Sequence, residues 1–172
     1  MKRENPNGEF NKSEIQTREA TADDLPIINK LNGREAENIE KMELQRQGKG
    51  KFLLLEKDGE IVGFSFICFE HSSYHFPGRD DLKGPFLEDG FVKEEYRRTG
   101  IGQIGLSRCE AIIKKNEGKK VITAVGLDNE ASVAFHIKNG FKPIEDAKFE
   151  MPYKQNTQKK YGIYFVKDLE PD

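Results

Sequence analysis

Apolar and polar positions along this chain fall into short runs whose period changes from two to about four and back. "IQTREA" (15–20) alternates and predicts a short strand. Thr21 and Asp24 have capping-box spacing, with Pro26 in the first turn of a helix that points Leu25, Ile28 and Leu31 inward. A second helix is predicted over about 34–47, through Ile39 and Met42, stopping at Gly48 and Gly50. "KFLLLEKDGEIVGFSFICFEH" (51–71) is the clearest hairpin, because two apolar runs flank Asp58-Gly59. That dipeptide accepts the positive φ angles of a type I′ turn. A polar loop punctuated by Gly and Pro (71–84) leads to the strand "PFLEDGFV" (85–92). From Gly102 to about Glu117, Ile101, Ile104, Cys109, Ile112 and Ile113 share one helical stripe that Gly118 closes. The strand "KKVITAVGLD" (119–128), a short helix (129–140) and the strands "FKPIED" (141–146) and "YGIYFVKDL" (161–169) follow.

A hairpin followed by β-α-β-α-β predicts an α/β fold with a mixed sheet. Residues 1–13 are polar, carry Pro6 and Gly8 and show no period, so a flexible tail is expected ahead of one domain spanning 14–172. Hydrophobic residues make up only 35% of the 172, but 12 Phe and 5 Tyr favour a packed core over disorder. Lys and Arg number 28 against 30 Asp and Glu, which argues against nucleic acid as a partner. The longest apolar run, "IVGFSFICF", falls far short of the ~20 residues a membrane helix needs. The N-terminus has no secretory h-region, so a cytoplasmic protein away from membranes is expected. Cys68 and Cys109 sit in apolar settings and read as inert buried thiols. His71 and His75 lack a third ligand at metal spacing, so no metal is expected.

The chemistry concentrates in "RRTGIGQIG" (97–105), where two phosphate-binding signatures overlap. Gly100, Gly102 and Gly105 spell the G-x-G-x-x-G of a dinucleotide turn, and Asp128 stands where a ribose-binding acid would. Against that reading, "KEEYRR" separates Val92 from the glycines, and the preceding hairpin is antiparallel. Arg97, Gly100 and Gly102 spell R-x-x-G-x-G, the pyrophosphate loop of an acyl-CoA-dependent transferase.

"FLEDGFVKEEYRRTGIG", followed after a helix and a strand by "NEASVAFHIKNGF", resembles the GNAT superfamily of N-acetyltransferases. The similarity covers about 15–145 and is strongest over 86–141; within the superfamily, "LEDGFV" looks most like the diamine and spermidine acetyltransferase branch. The resemblance implies a single-domain GNAT-like fold. Its twisted sheet of six to seven strands would be splayed at the fourth strand, near Gly90, to admit acetyl-CoA, with helices on both faces.

It also implies roles. The amides of Arg98, Thr99, Gly100, Ile101, Gly102 and Gln103 would hold the pyrophosphate at a helix N-terminus, with Arg97 and Arg98 adding charge. Arg98 stands where the family usually has glycine. Phe91 and Val92 would lend main-chain hydrogen bonds to the pantetheine arm, Gly90 suiting a bulge. Glu88 matches the base proposed for the diamine branch, which an alkylammonium of pKa ~10.4 requires. Asp89, its neighbour, would face the other side. His136 replaces the family's tyrosine acid in "FHIKNGF"; it could protonate the leaving thiolate only while charged, and unaided departure is the other reading. Asn129 matches a pantetheine contact and also reads as a plain helix cap. Tyr74, His75, Phe76, Asp80 and Asp81, with Glu35, Glu37 and Glu40, fall where the family lines its acceptor cleft, and would equally suit a solvated surface. The implied reaction is direct acetyl transfer to a primary amine of a small molecule, polyamine-like first, or of a peptide. A non-catalytic acyl-CoA-binding regulatory module is the alternative. A homodimer is left open, in which a C-terminal strand such as "YGIYFV" could pair across the two copies.

Overall fold

The computed structural model describes residues 14–71, 73, 75–151 and 159–170. The expected tail, 1–13, and Tyr74 lie outside them. Among the described residues seven strands form one sheet: β1 (Ile15–Glu19), β2 (Gly50–Lys57), β3 (Glu60–His71), β4 (Gly84–Val92), β5 (Lys120–Gly126), β6 (Lys142–Glu150) and β7 (Tyr161–Asp168). Their order is β1-β2-β3-β4-β5-β7-β6. β4 and β5 run parallel, while β1–β2, β2–β3, β5–β7 and β6–β7 are antiparallel, so the sheet is mixed as expected. Among the described residues four α-helices accompany it: α1 (Leu25–Asn32), α2 (Glu35–Arg46), α3 (Ile101–Lys115) and α4 (Glu130–Lys138). The chain divides into two compact units. One holds the residues up to Cys68 together with Asp89–Ala111, the other Phe69–Glu88 together with the chain from Ile112 onward.

In the first unit the β2–β3 hairpin turns on Asp58 (φ 52°) and Gly59 (φ 79°), both left-handed as a type I′ turn demands. The register pairs Leu55 with Gly63 and then Glu56 with Ile61, so Val62 is one residue too many and forms a bulge. The bulge resets the alternation. Ile61, Phe64 and Phe66 join Phe52 and Leu54 against Ile28, Leu31 and Met42 of α1 and α2. Val62 instead joins Leu55, Ile15 and Ile101 of α3 on the opposite face. Gly105 explains itself here: a Cβ on it would sit 3.0 Å from Leu55 Cδ1, so α3 lies close on β2. The capping box forms, with the Thr21 amide donating to Asp24 Oδ2 at 2.7 Å. Arg18 forks onto both Asp24 oxygens at 2.8 Å, and that guanidinium holds the carboxyl down at about 2.

α2 departs from expectation in which face it buries. Ile39 is 52% exposed, whereas Asn38 and Lys41 are buried. Polar partners account for this. The Asn38 amide donates to Asn29 at 2.7 Å and to Asn32 at 2.9 Å, and Lys41 pairs with Asp89. A buried polar group is tolerated where its hydrogen bonds are made.

In the second unit β5 pairs along its whole length with β7, from Lys120↔Asp168 to Gly126↔Gly162. β7 pairs on its other side with β6. "YGIYFV" therefore has both edges used and cannot add to the sheet of a second copy, which corrects the expected dimer contact. β6 continues to Glu150, beyond the expected end at Asp146, with a register irregularity between Pro143 and Lys148.

Candidate active site

The glycine loop joins β4 to α3 in the first unit. β4 ends at Val92 and a 3-10 turn, Glu94–Tyr96, intervenes before Arg97, so the strand does not run into the glycines as a dinucleotide turn requires. Side chains bind the loop to its own entrance. Arg97 Nε donates to the Val92 carbonyl at 3.0 Å, and the Thr99 hydroxyl donates to the Tyr96 carbonyl at 2.5 Å. Arg98 (φ 60°) and Gly100 (φ 90°) both take the left-handed conformation. Nothing lies within 4 Å of a Cβ placed on Gly100, so backbone conformation rather than space calls for glycine there. Left-handed residues interspersed among ordinary ones turn successive N–H groups to one side, the geometry of an anion nest. Here the two left-handed residues, Arg98 and Gly100, stand immediately ahead of the positive end of α3. Ile101 is fully buried with Leu55 and Val62, so only its amide can face a ligand. Arg97, Arg98 and Gln103 are exposed, while Thr99 and Gly102 are half-buried.

On β4 the left-handed residue is Asp89 (φ 51°), not Gly90, which was expected to supply the bulge. Asp is among the few residues that enter this region readily, and its carboxylate is doubly held. Arg34 Nη1 donates to Oδ1 at 3.0 Å, and the Lys41 ammonium, 5% exposed, donates to Oδ2. Both Asp89 oxygens are thus occupied by cations. Beyond it Phe91 stacks on Phe64 with ring centroids 5.0 Å apart, while Val92 packs on the Leu55, Val62 and Ile101 cluster. Sequence reasoning missed Arg34 and Lys41; the available signal was a helix whose apolar residues make a poor stripe.

In the second unit the β4–β5 ladder holds two pairs, Phe86↔Ile122 and Leu87↔Thr123. At the second, the Thr123 hydroxyl donates to the Leu87 carbonyl at 3.1 Å, a side chain doing what a ladder amide would do. Glu88 comes next on the strand and is half-buried. Burial pushes the Tyr164 hydroxyl above its usual range, and the nearby Glu88 carboxylate raises it further, while a hydrogen bond from Ser73 at 2.8 Å opposes both. Around Tyr164 stand Phe76, Phe86 and Phe149. His71 stacks on Phe86 at 4.0 Å and His75 on Phe149 at 4.2 Å. Burial keeps His71 below its usual pKa, and its Nε2 is buried without a partner. Among the described residues no group of three His, Cys, Asp or Glu is placed to hold a metal ion.

Asn129 caps α4, its side-chain oxygen accepting from the Ser132 amide at 3.1 Å. His136 Nδ1 lies 2.7 Å from the Ser132 carbonyl. A carbonyl only accepts, so Nδ1 carries the proton and neutral Nε2 holds a lone pair. The ring packs among Phe135, Phe141 and Phe165, and burial pushes its pKa down. At neutral pH this histidine has no Nε2 proton to give. The acids expected near an acceptor are surface groups: Glu35 and Glu40 are exposed, Glu37 pairs with Arg34, Asp80 with Lys83 and Asp81 with Arg79. Cys109 is buried, which pushes its thiol up to about 12 and makes it a poor nucleophile. Among the described residues no helix is long and apolar enough to cross a membrane.

Residues 16–141 match the model of the Acetyltransferase (GNAT) family. An N-acetyltransferase from Staphylococcus aureus Mu50 is similar in structure, with TM-score 0.73 and 19% identity over 91% of this chain and 99% of that one. A ribosomal-protein-alanine N-acetyltransferase from Brucella melitensis gives TM-score 0.71 and 18% identity over 90% and 99% of the two chains. A GNAT family acetyltransferase from Elizabethkingia anophelis with acetyl-CoA bound gives TM-score 0.62 and 19% identity over 92% and 100%.

Proposed function

Because the chain belongs to the acetyltransferase (GNAT) family, we propose that it transfers the acetyl group of acetyl-CoA directly to a primary amine, with a polyamine-like small molecule as the first-choice acceptor. The observation that carries this reading is that left-handed Arg98 and Gly100 lead the chain into the N-terminus of α3, and the 98–103 amides, with Arg97 and Arg98, are assigned to the diphosphate. A diphosphate placed there would meet backbone donors and the helix dipole together. The main chain of Phe91 and Val92 would hold the pantetheine arm, since their side chains are packed away. An N–H aimed at the thioester oxygen would stabilise the oxyanion by a few kcal/mol.

Glu88 is assigned as the base, because both oxygens of Asp89 are engaged by cations. It takes a proton from the substrate ammonium, the free amine attacks the thioester carbon, and the C–S bond breaks as the carbonyl re-forms, the second proton of the attacking nitrogen passing to solvent as the amide forms. Coenzyme A's thiol resembles that of cysteine, of pKa ~8.5, so the thiolate can leave unaided and His136 is not needed as its acid. Asn129 spends its side-chain oxygen on the α4 cap, and its amide nitrogen is assigned to the pantetheine.

A peptide amine is the second reading, supported by the likeness to an enzyme named for acetylating alanine of a ribosomal protein. Thiol release from acetyl-CoA, measured with spermidine, putrescine and an alanine-starting peptide, separates the readings. Turnover on the polyamines supports the first and turnover on the peptide alone the second. Binding of acetyl-CoA with no turnover on any amine leaves a regulatory module. Glu88→Gln should lower kcat by about 10²–10⁴ while acetyl-CoA still binds.

A further inference from the structure

We propose that Lys41 is a positioning residue. Paired with Asp89, it holds β4 in its left-handed turn and so fixes where the main chain of Phe91 and Val92 points. This rests on the assignment of those two residues to the pantetheine arm. Four observations carry it, all within the first unit.

First, α2 buries Lys41, 5% exposed, in preference to Ile39, 52% exposed. A helix surrenders apolar burial for an ammonium only where that charge has a partner. Second, that partner is the one non-glycine residue of β4 with a positive φ, Asp89. A strand does not adopt such a conformation by itself, and it persists where surrounding structure over-determines it. Third, the determination is two-fold. Lys41 binds Oδ2 and Arg34 binds Oδ1 at 3.0 Å, while Arg34 is itself braced by Glu37 at 3.3 Å. The Lys41 ammonium also lies 5.9 Å from the centre of the Phe66 ring, within cation–π range. Fourth, the residues downstream are seated on opposite faces, Phe91 on Phe64 and Val92 on Leu55 and Val62. A change of φ at Asp89 would swing both seats and turn their amides and carbonyls with them.

The alternative is that the pair only stabilises the fold, and a double-mutant cycle tells the two apart. Lys41→Met and Asp89→Asn should each lower Tm and turnover, since the first leaves Asp89 held by Arg34 alone and the second takes from the buried Lys41 ammonium the carboxylate it binds. In the double variant neither charge is stranded, so Tm should recover. Turnover should stay at least tenfold low, with a raised Kd for acetyl-CoA in calorimetric titration, because nothing then pins the left-handed turn. Lys41→Arg keeps the charge and should regain part of the turnover. A double variant that recovers acetyl-CoA affinity and turnover along with Tm overturns the proposal. So do single variants that lose Tm with both of those unchanged. If Lys41→Met does not fold, Lys41→Gln combined with Asp89→Asn gives the same comparison, and normal affinity and turnover in that variant overturns it. Wild-type protein that fails to bind acetyl-CoA refutes the functional reading itself, and the positioning role falls with it. Wild-type binding that is matched by the double variant refutes the positioning role alone.

Discussion

Arg98→Gly should make the protein more stable and its cofactor affinity weaker. Arg98 holds φ at 60° in the loop before α3, a conformation that costs an L-residue with a Cβ about 1–2 kcal/mol. Glycine removes that strain but loosens the unfolded chain, which returns about 0.4–1 kcal/mol. The net gain is about 1 kcal/mol, worth about 2–4 °C in Tm for a chain of this size. The Arg98 side chain is exposed in the loop ahead of α3. If it donates to a phosphate oxygen, that bond is worth about 1.5–3 kcal/mol. At 1.4 kcal/mol per factor of ten, Kd for acetyl-CoA should rise by about 10- to 100-fold. Thermal unfolding of the free protein and calorimetric titration with acetyl-CoA read the two effects separately, and the affinity loss should shrink in high salt. A lower Tm would refute the strain argument. A raised Tm with unchanged Kd would refute the phosphate contact and leave Arg98 as strain without a return.

Three further outcomes are expected. Thr123→Val keeps the shape but removes the hydroxyl bound to the Leu87 carbonyl, and should cost about 1–2 kcal/mol in denaturant unfolding. Asp24 titrates near 3.9 unfolded and at about 2 folded, so its contribution is complete above pH ~4 and is lost as pH falls through 2. With solvent screening of the half-exposed Arg18 allowed for, that contribution is about 1–2 kcal/mol, and Asp24→Asn should flatten the acid limb of stability against pH. His71 and His136 are both held below the usual pKa of 6.5 by burial, so the unfolded chain binds protons first and stability should fall as pH drops below that value. His136→Phe should lessen this slope and keep turnover at pH 7.5 within about threefold of wild type, as unaided departure of a thiolate of pKa ~8.5 allows.

What could be read from sequence was what single residue types demand of their own backbone. Asp58-Gly59 announced the hairpin, Thr21 with Asp24 and Pro26 announced α1, and the Gly100–Gly102 spacing announced the loop, because each requirement is local. What escaped was set by distant partners. The left-handed residue of β4 went to Asp89 because Lys41 of α2 and Arg34 just ahead of that helix hold it there, although Gly90 was the natural local candidate. The buried face of α2 followed hydrogen bonds that no periodicity reports. The Val62 bulge, the Thr123 bond to Leu87 and the interior place of β7 depend on register, which alternation alone leaves open. Arg98 was recognisable as an exception to the family pattern; the left-handed turn it occupies was not.

The interior place of β7 has a consequence for synthesis. β6 is translated before β7, yet its ladder is with β7, and β5 waits for the same partner. Until residues 161–168 clear the ribosome, β5 shows an open apolar edge, Val121 to Val125, of the kind that invites pairing with another nascent chain. Ribosome pausing shortly before β7 should therefore lower soluble yield more than pausing after it, with every amino acid of the product unchanged.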